Sequence, residues 1–153
     1  MGRNDEQTQK INYNGFEFIT QNGFWFTSIG DLDFIFKYNP KQIDEIDSEV
    51  KYLNNYDGKP LYLYSENNEA GLEIYSNFDQ IVQRVRDACF DEDQERCQED
   101  WPIKTCEYNF IIIEASNESN IIQEENCVFI YGAQENLTKI TDEFLFKTLG
   151  IRG

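Results

Sequence analysis

Between Asp87 and Asp100 the chain sets Asp87, Asp91, Glu92, Asp93, Glu95, Glu99 and Asp100, with Arg96 as the one base among them. Two kinds of chemistry suit such a run. A dense anionic face attracts Lys and Arg and speeds encounter with a basic surface. Carboxylates also suit a hard cation, Ca²⁺ or Mg²⁺, and Asp91, Asp93 and Glu95 alternate as loop ligands do. An EF-hand loop would then need Gly at position 96 and Glu at position 102. The chain has Arg96 and Pro102, so that motif is rejected and a looser site is the weaker candidate. Asp31 and Asp33 form a second D-x-D pair, expected on one face of a strand. Trp101 follows the acids and precedes Pro102 in a stretch without periodicity. It reads either as an interface anchor beside the acids or as a loop residue covering the core.

Catalytic constellations are poorly supplied. The chain has no histidine, which removes Ser-His-Asp and Cys-His arrangements and histidine-bearing metal sites. G-x-S-x-G, Walker A and G-x-G-x-x-G sequences are absent. With 29 acids, paired carboxylates arise by abundance alone. The expectation is a non-catalytic acidic binding protein acting on a basic protein, or on the basic face of a nucleic-acid-binding protein. An inhibitor, an immunity protein or a nucleic-acid mimic would have this character. The expected partner-binding residues are Asp91, Glu92, Asp93, Glu95, Glu99, Asp100 and Trp101. A divalent-metal module or metal-assisted hydrolase using Asp31, Asp33, Asp91, Asp93 or Glu95 is the first alternative, and a structural or assembly subunit is the second. The net charge of −16 argues against nucleic acid or an anionic membrane as direct partner. It leaves room for an oligomer with an apolar face.

The acid must coat a folded body, because 40% of the 153 residues are hydrophobic and 15% aromatic, which does not fit a disordered chain. One domain is expected over residues 11–153, behind a flexible N-terminus at 1–10. Arg3 has no apolar run behind it, so the start is not read as a signal peptide, and the expected location is cytoplasmic. Cys89, Cys97, Cys106 and Cys127 show no C-x-x-C spacing and read mainly as reduced structural thiols. Asn117-Glu118-Ser119 and Asn136-Leu137-Thr138 match the glycan-acceptor pattern, but in that setting they read as a loop and a helix cap.

Pattern then predicts the elements. Residues 16–20, 24–26 and 31–36 alternate as strands, with Asn22-Gly23 a hairpin turn. Asn39-Pro40 opens a helix whose buried stripe is Ile43, Ile46, Val50 and Leu53. Residues 61–64 and 72–75 form a hairpin, and a helix capped at Asn77 carries Phe78, Ile81, Val82, Val85 and Cys89. Residues 110–113 and 127–131 are central strands, with a polar connection between them. A last helix from Leu137 ends at Gly150. The predicted class is α+β, with a mostly antiparallel sheet, three helices and the order β-β-β-α-β-β-α-β-β-α.

Overall fold

Alternation in the first forty residues produces a four-stranded antiparallel meander: β1 (Lys10–Tyr13), β2 (Phe16–Gln21), β3 (Phe24–Ile29) and β4 (Leu32–Phe36). The computed structural model describes residues 8–97 and 100–153. The β1–β2 and β2–β3 turns place Asn14-Gly15 and Asn22-Gly23 at positive φ, the conformation two-residue hairpin turns demand. Ahead of β1, the Gln9 carbonyl accepts from the Thr20 amide at 2.9 Å.

The second sheet is mixed, with strand order β10-β11-β9-β5-β6. It comprises β5 (Pro60–Ser65), β6 (Arg84–Asp87), β9 (Phe110–Ala115), β10 (Asn120–Glu124) and β11 (Cys127–Gly132). The pairs β5–β6, β5–β9 and β9–β11 are parallel, and only β10–β11 is antiparallel. The near-continuous apolar runs at 110–113 and 127–131 do occupy inner positions. Ile111, Ile113, Val128 and Ile130 face the main core, whereas Phe110, Ile112, Cys127 and Phe129 face a second cluster on the other side.

Two α-helices are present among the described residues rather than three, which corrects the predicted order. The expected helix after Asn39 is a single 3-10 turn, Pro40–Gln42. Asn39 does cap it, and a capping box forms, with Asn39 accepting from the Lys41 amide and Gln42 accepting from the Asn39 amide. Beyond it the chain runs as an irregular strap to a second 3-10 turn, Leu53–Asn55. Like charges at Asp44/Asp47 and Glu45/Glu49 would oppose a helix. The strap instead borrows partners from elsewhere: the Ile46 amide donates to Glu143 at 2.8 Å, and the Lys51 amide donates to Gln123 at 3.2 Å. The apolar stripe is still used, since Ile43 is buried and Ile46, Val50 and Leu53 pack against the same core.

The second correction concerns residues 66–89. The expected hairpin strand at 72–75 lies inside helix α1 (Asn68–Phe78), and the expected helix beyond Asn77 is strand β6 with the short strand β7 (Cys89–Phe90). Asn67 caps α1 by accepting from the Ala70 amide at 2.8 Å. Ala70, Ile74 and Phe78, one turn apart, make its buried stripe. A parallel β5–β6 pair requires such a crossover, so β5-α1-β6 is a βαβ unit in place of the expected hairpin.

Helix α2 (Leu137–Thr148) ends as expected. Gly150 has φ +78°, the Gly150 amide donates to Lys147 at 3.1 Å, and the Ile151 amide donates to Phe146 at 2.8 Å, the double bond pattern of a Schellman end. Ile151 is fully buried against the meander, where Phe18, Phe36 and Phe146 form a ring cluster with Phe36 and Phe146 centroids 4.8 Å apart.

Both helices and the meander thus cover one face of the mixed sheet. The other face is covered in part by a flap, residues 88–97 and 100–108, containing β7, a kinked 3-10 segment (Asp91–Arg96) and β8 (Ile103–Lys104). The cysteines are paired rather than reduced: Cys89 with Cys97, Cα atoms 5.3 Å apart, and Cys106 with Cys127, 5.0 Å apart. The second bond fastens the flap to β11. Sequence spacing could not show this pair, because only the folding of the flap over the sheet brings Cys106 to Cys127.

Candidate functional site

The flap carries the acidic run, and its sheet pairing splits that run between two hollows. The first is a bowl of about 360 Å³. Asp91 and Glu92 enter it from the end of β7, Glu107 from the turn after β8, and Glu124 and Glu125 from the β10–β11 turn. Phe90 and Phe129 form its apolar lining, their ring centroids 5.5 Å apart. Among the described residues, the carboxylates of Glu92, Glu107, Glu124 and Glu125 make no hydrogen bond or ion pair. Glu125 sits at φ 54°, so the tight β10–β11 turn fixes its position.

The second hollow, about 480 Å³, lies outside the carboxyl ends of β5 and β6, beside the first turns of α1. Leu72, Tyr75, Asp87 and Trp101 line it together with Ser65 and Asn67. Leu72 is 61% exposed, an apolar side chain offered to solvent. The Tyr75 hydroxyl donates to Asp87 at 3.1 Å. Burial and the Asp87 charge push that phenol up to about 12.

The expected partner-binding residues therefore do not form one patch. Asp91 and Glu92 are exposed at the bowl, Trp101 is half-buried at the second hollow, and Glu95 and Asp100 are exposed between them. Asp93 is half-buried at the kink of the 3-10 segment. Glu99 lies outside the described residues. Glu107, Glu124, Glu125 and Phe129 escaped the sequence reading, because nothing local joins positions 16 to 38 residues away to the run at 91. The one available signal was acid flanking Asn126 in a turn between strands.

The metal alternative is not built. Among the described residues no group of three or more His, Cys, Asp or Glu side chains is placed to hold a metal ion. Asp33 accepts from the Ser28 hydroxyl at 2.5 Å, while Asp31 lies in the turn before β4 rather than on its face. Among the described residues no helix is long and apolar enough to cross a membrane.

A separate set of acids is buried between the helices. Asp142 is fully buried, accepts from the Tyr38 amide at 3.2 Å, and its Oδ1 has no donor. Burial first, then a hydrogen bond and like charge from Glu73, hold the Asp142 carboxyl well above the usual range. Glu73 itself accepts from the Lys37 amide at 3.1 Å. Glu69 nearby is held low by hydrogen bonds from Lys37 and Thr138. These acids hold elements together: Glu73 and Asp142 accept from the Lys37 and Tyr38 amides, and Glu69 joins Lys37 to Thr138.

No protein-family model, no curated protein and no solved structure matches this chain.

Proposed function

We propose that the protein binds a basic protein surface through the bowl, as an inhibitor, an immunity protein or a nucleic-acid mimic would. The observation that carries this reading is the convergence of Glu92, Glu107, Glu124 and Glu125, drawn from three separate segments, around Phe90 and Phe129. A Lys or Arg side chain suits such a hollow: its alkyl stem packs on the rings, its charge meets the carboxylates, and a guanidinium stacks on an aromatic face. Trp101 and Leu72 at the second hollow, outside the carboxyl ends of β5 and β6, offer a separate apolar surface.

The test is recovery of a basic partner on immobilised protein at low and high salt, repeated with Glu107→Lys, Glu124→Lys and Glu125→Lys combined. Wild type should retain the partner at low salt and lose it as screening rises, and the triple variant should lose it throughout. A partner held equally by wild type and variant would place the interface elsewhere.

The paired cysteines support a reading of the compartment. Two disulfides within one chain favour an oxidising environment over the cytoplasmic placement expected from sequence. Alkylation of the unreduced protein should add no mass, and four reactive thiols would reverse this reading.

A further inference from the structure

We propose that Asn117 is an acceptor for an N-linked glycan and that Asn136, the other matching position, is not. The two positions look alike in sequence and differ in the fold. Asn117-Glu118-Ser119 lies in the connection from β9 to β10, where every residue from Ala115 to Asn120 is exposed. The turn is local, closed by the Glu118 amide donating to the Ser116 hydroxyl at 3.4 Å. Among the described residues the Asn117 side chain makes no hydrogen bond that a sugar would break. Transfer requires the amide of the Asn and the hydroxyl two residues on to be reachable together.

Asn136 fails that requirement. It precedes α2, whose first turn buries Thr138 to 4% exposure. The Thr138 hydroxyl is committed to Glu69 at 2.8 Å, a bond that joins the two helices.

The independent support is the disulfide pair, since the lumen of a eukaryotic secretory pathway both forms such bonds and attaches such glycans. The donor would be an oligosaccharide carried on a lipid pyrophosphate. The Asn117 side-chain nitrogen bonds to the anomeric carbon, the bond from that carbon to the pyrophosphate oxygen breaks, and the lipid pyrophosphate leaves with the electron pair. The nitrogen releases one proton. The register also keeps the sugar clear of the bowl. Phe110 pairs with Cys127 at the bowl end of the sheet, and Ala115 pairs with Gly132 at the end where Asn117 emerges. Five residues of strand separate them by about 17 Å.

The proposal rests on the oxidising-compartment reading and is independent of the basic partner. To test it, the full chain is passed through a eukaryotic secretory pathway, and unreduced protein is alkylated before its intact mass is taken. The expected result is no alkylation, a discrete mass gain, and conversion of Asn117 to Asp when the sugar is released enzymatically. Asn117→Gln and Ser119→Ala should each abolish the gain, whereas Ser119→Thr and Asn136→Gln should keep it. Disulfide-bonded protein with an unmodified Asn117 overturns the proposal, as does a glycan that disappears only in Asn136→Gln. Free thiols in the recovered protein overturn the compartment reading and the proposal with it.

Discussion

Replacing Asn77 by Ala should destabilise the fold far more than a polar-to-Ala change on a helix normally does. Strand β4 is the edge of the meander, and an edge strand leaves alternate backbone groups unpaired. Helix α1 and the turn that follows it cover that edge with side chains at steps of four and three residues. Glu73 accepts from the Lys37 amide, Asn77 accepts from the Ile35 amide at 2.9 Å and donates to the Ile35 carbonyl at 2.8 Å, and Gln80 donates to the Asp33 carbonyl at 2.9 Å. Asn77 is 1% exposed and takes the place of a fifth strand at the centre of this seam. Truncation leaves both Ile35 groups without partners, at about 1–3 kcal/mol for each. The better helix propensity of Ala offsets about 0.5 kcal/mol. A net loss of about 1.5–5.5 kcal/mol is expected, a large part of the 5–15 kcal/mol typical of a domain. For a chain of this length that lowers Tm by roughly 3–20 °C. Thermal unfolding followed by circular dichroism gives the magnitude, and amide hydrogen exchange at Ile35 gives the place. Asn77→Asp should fare no better, because it keeps one acceptor and loses both donors. A loss under about 0.5 kcal/mol, with the Ile35 amide still protected, would show that water or a neighbour satisfies the edge and that the side-chain seam is not what holds β4.

Asp142→Asn should change the pH dependence of stability. The raised Asp142 pKa means its contribution is complete below the unfolded carboxyl pKa, about pH 4, and falls away as pH rises through the folded value, by up to about 1.4 kcal/mol per pH unit; the variant should flatten that fall in denaturant titrations and be no less stable at pH 8. Arg152 is 6% exposed and pairs with the buried Glu143 while donating to the Pro40 and Ile43 carbonyls; Arg152→Ala should cost about 3–5 kcal/mol by stranding Glu143, as read by urea unfolding. Replacing Cys106 and Cys127 by Ser opens a connection of 21 residues and should cost about 3 kcal/mol, with increased exchange at the amides of Phe90 and Phe110.

The strands were legible where one face is wet and the other dry, because alternation then survives in the sequence, as at Phe16–Gln21 and Leu32–Phe36. The inner strands and the end of α2 were legible through apolar continuity and Gly150. Residues 66–89 were misread because α1 buries Glu73 and Asn77 beside Ile74 and Phe78, and polar residues on a buried face erase the helical period. Their purpose appears only once β4 lies alongside. The strap at 43–52 fails in the opposite way: its apolar spacing suits a helix, but its amides are held by Glu143 and Gln123 from distant elements. The run at 91–95 was visible as charge, whereas the bowl required Glu107, Glu124 and Glu125 to arrive by folding.

Acid is so abundant here that position alone distinguishes carboxylates that serve the fold from those left over for a partner. Glu73, Asp142 and Glu143 each accept a backbone amide, from Lys37, Tyr38 and Ile46, and removing any of them would leave a buried donor unmet. Glu66 behaves likewise at the surface, accepting from the Ala115 amide at 2.9 Å. These acids explain themselves through the segments they join. Glu92, Glu107, Glu124 and Glu125 join nothing among the described residues, yet all four line one hollow. Under the proposed function they are kept for a cationic partner, whose approach an anionic surface would speed. The same reasoning predicts that Glu107→Gln or Glu124→Gln leaves the free protein as stable as wild type or slightly more so. A clear loss of stability in either variant would mean that these carboxylates hold the flap, and would return them to the structural set.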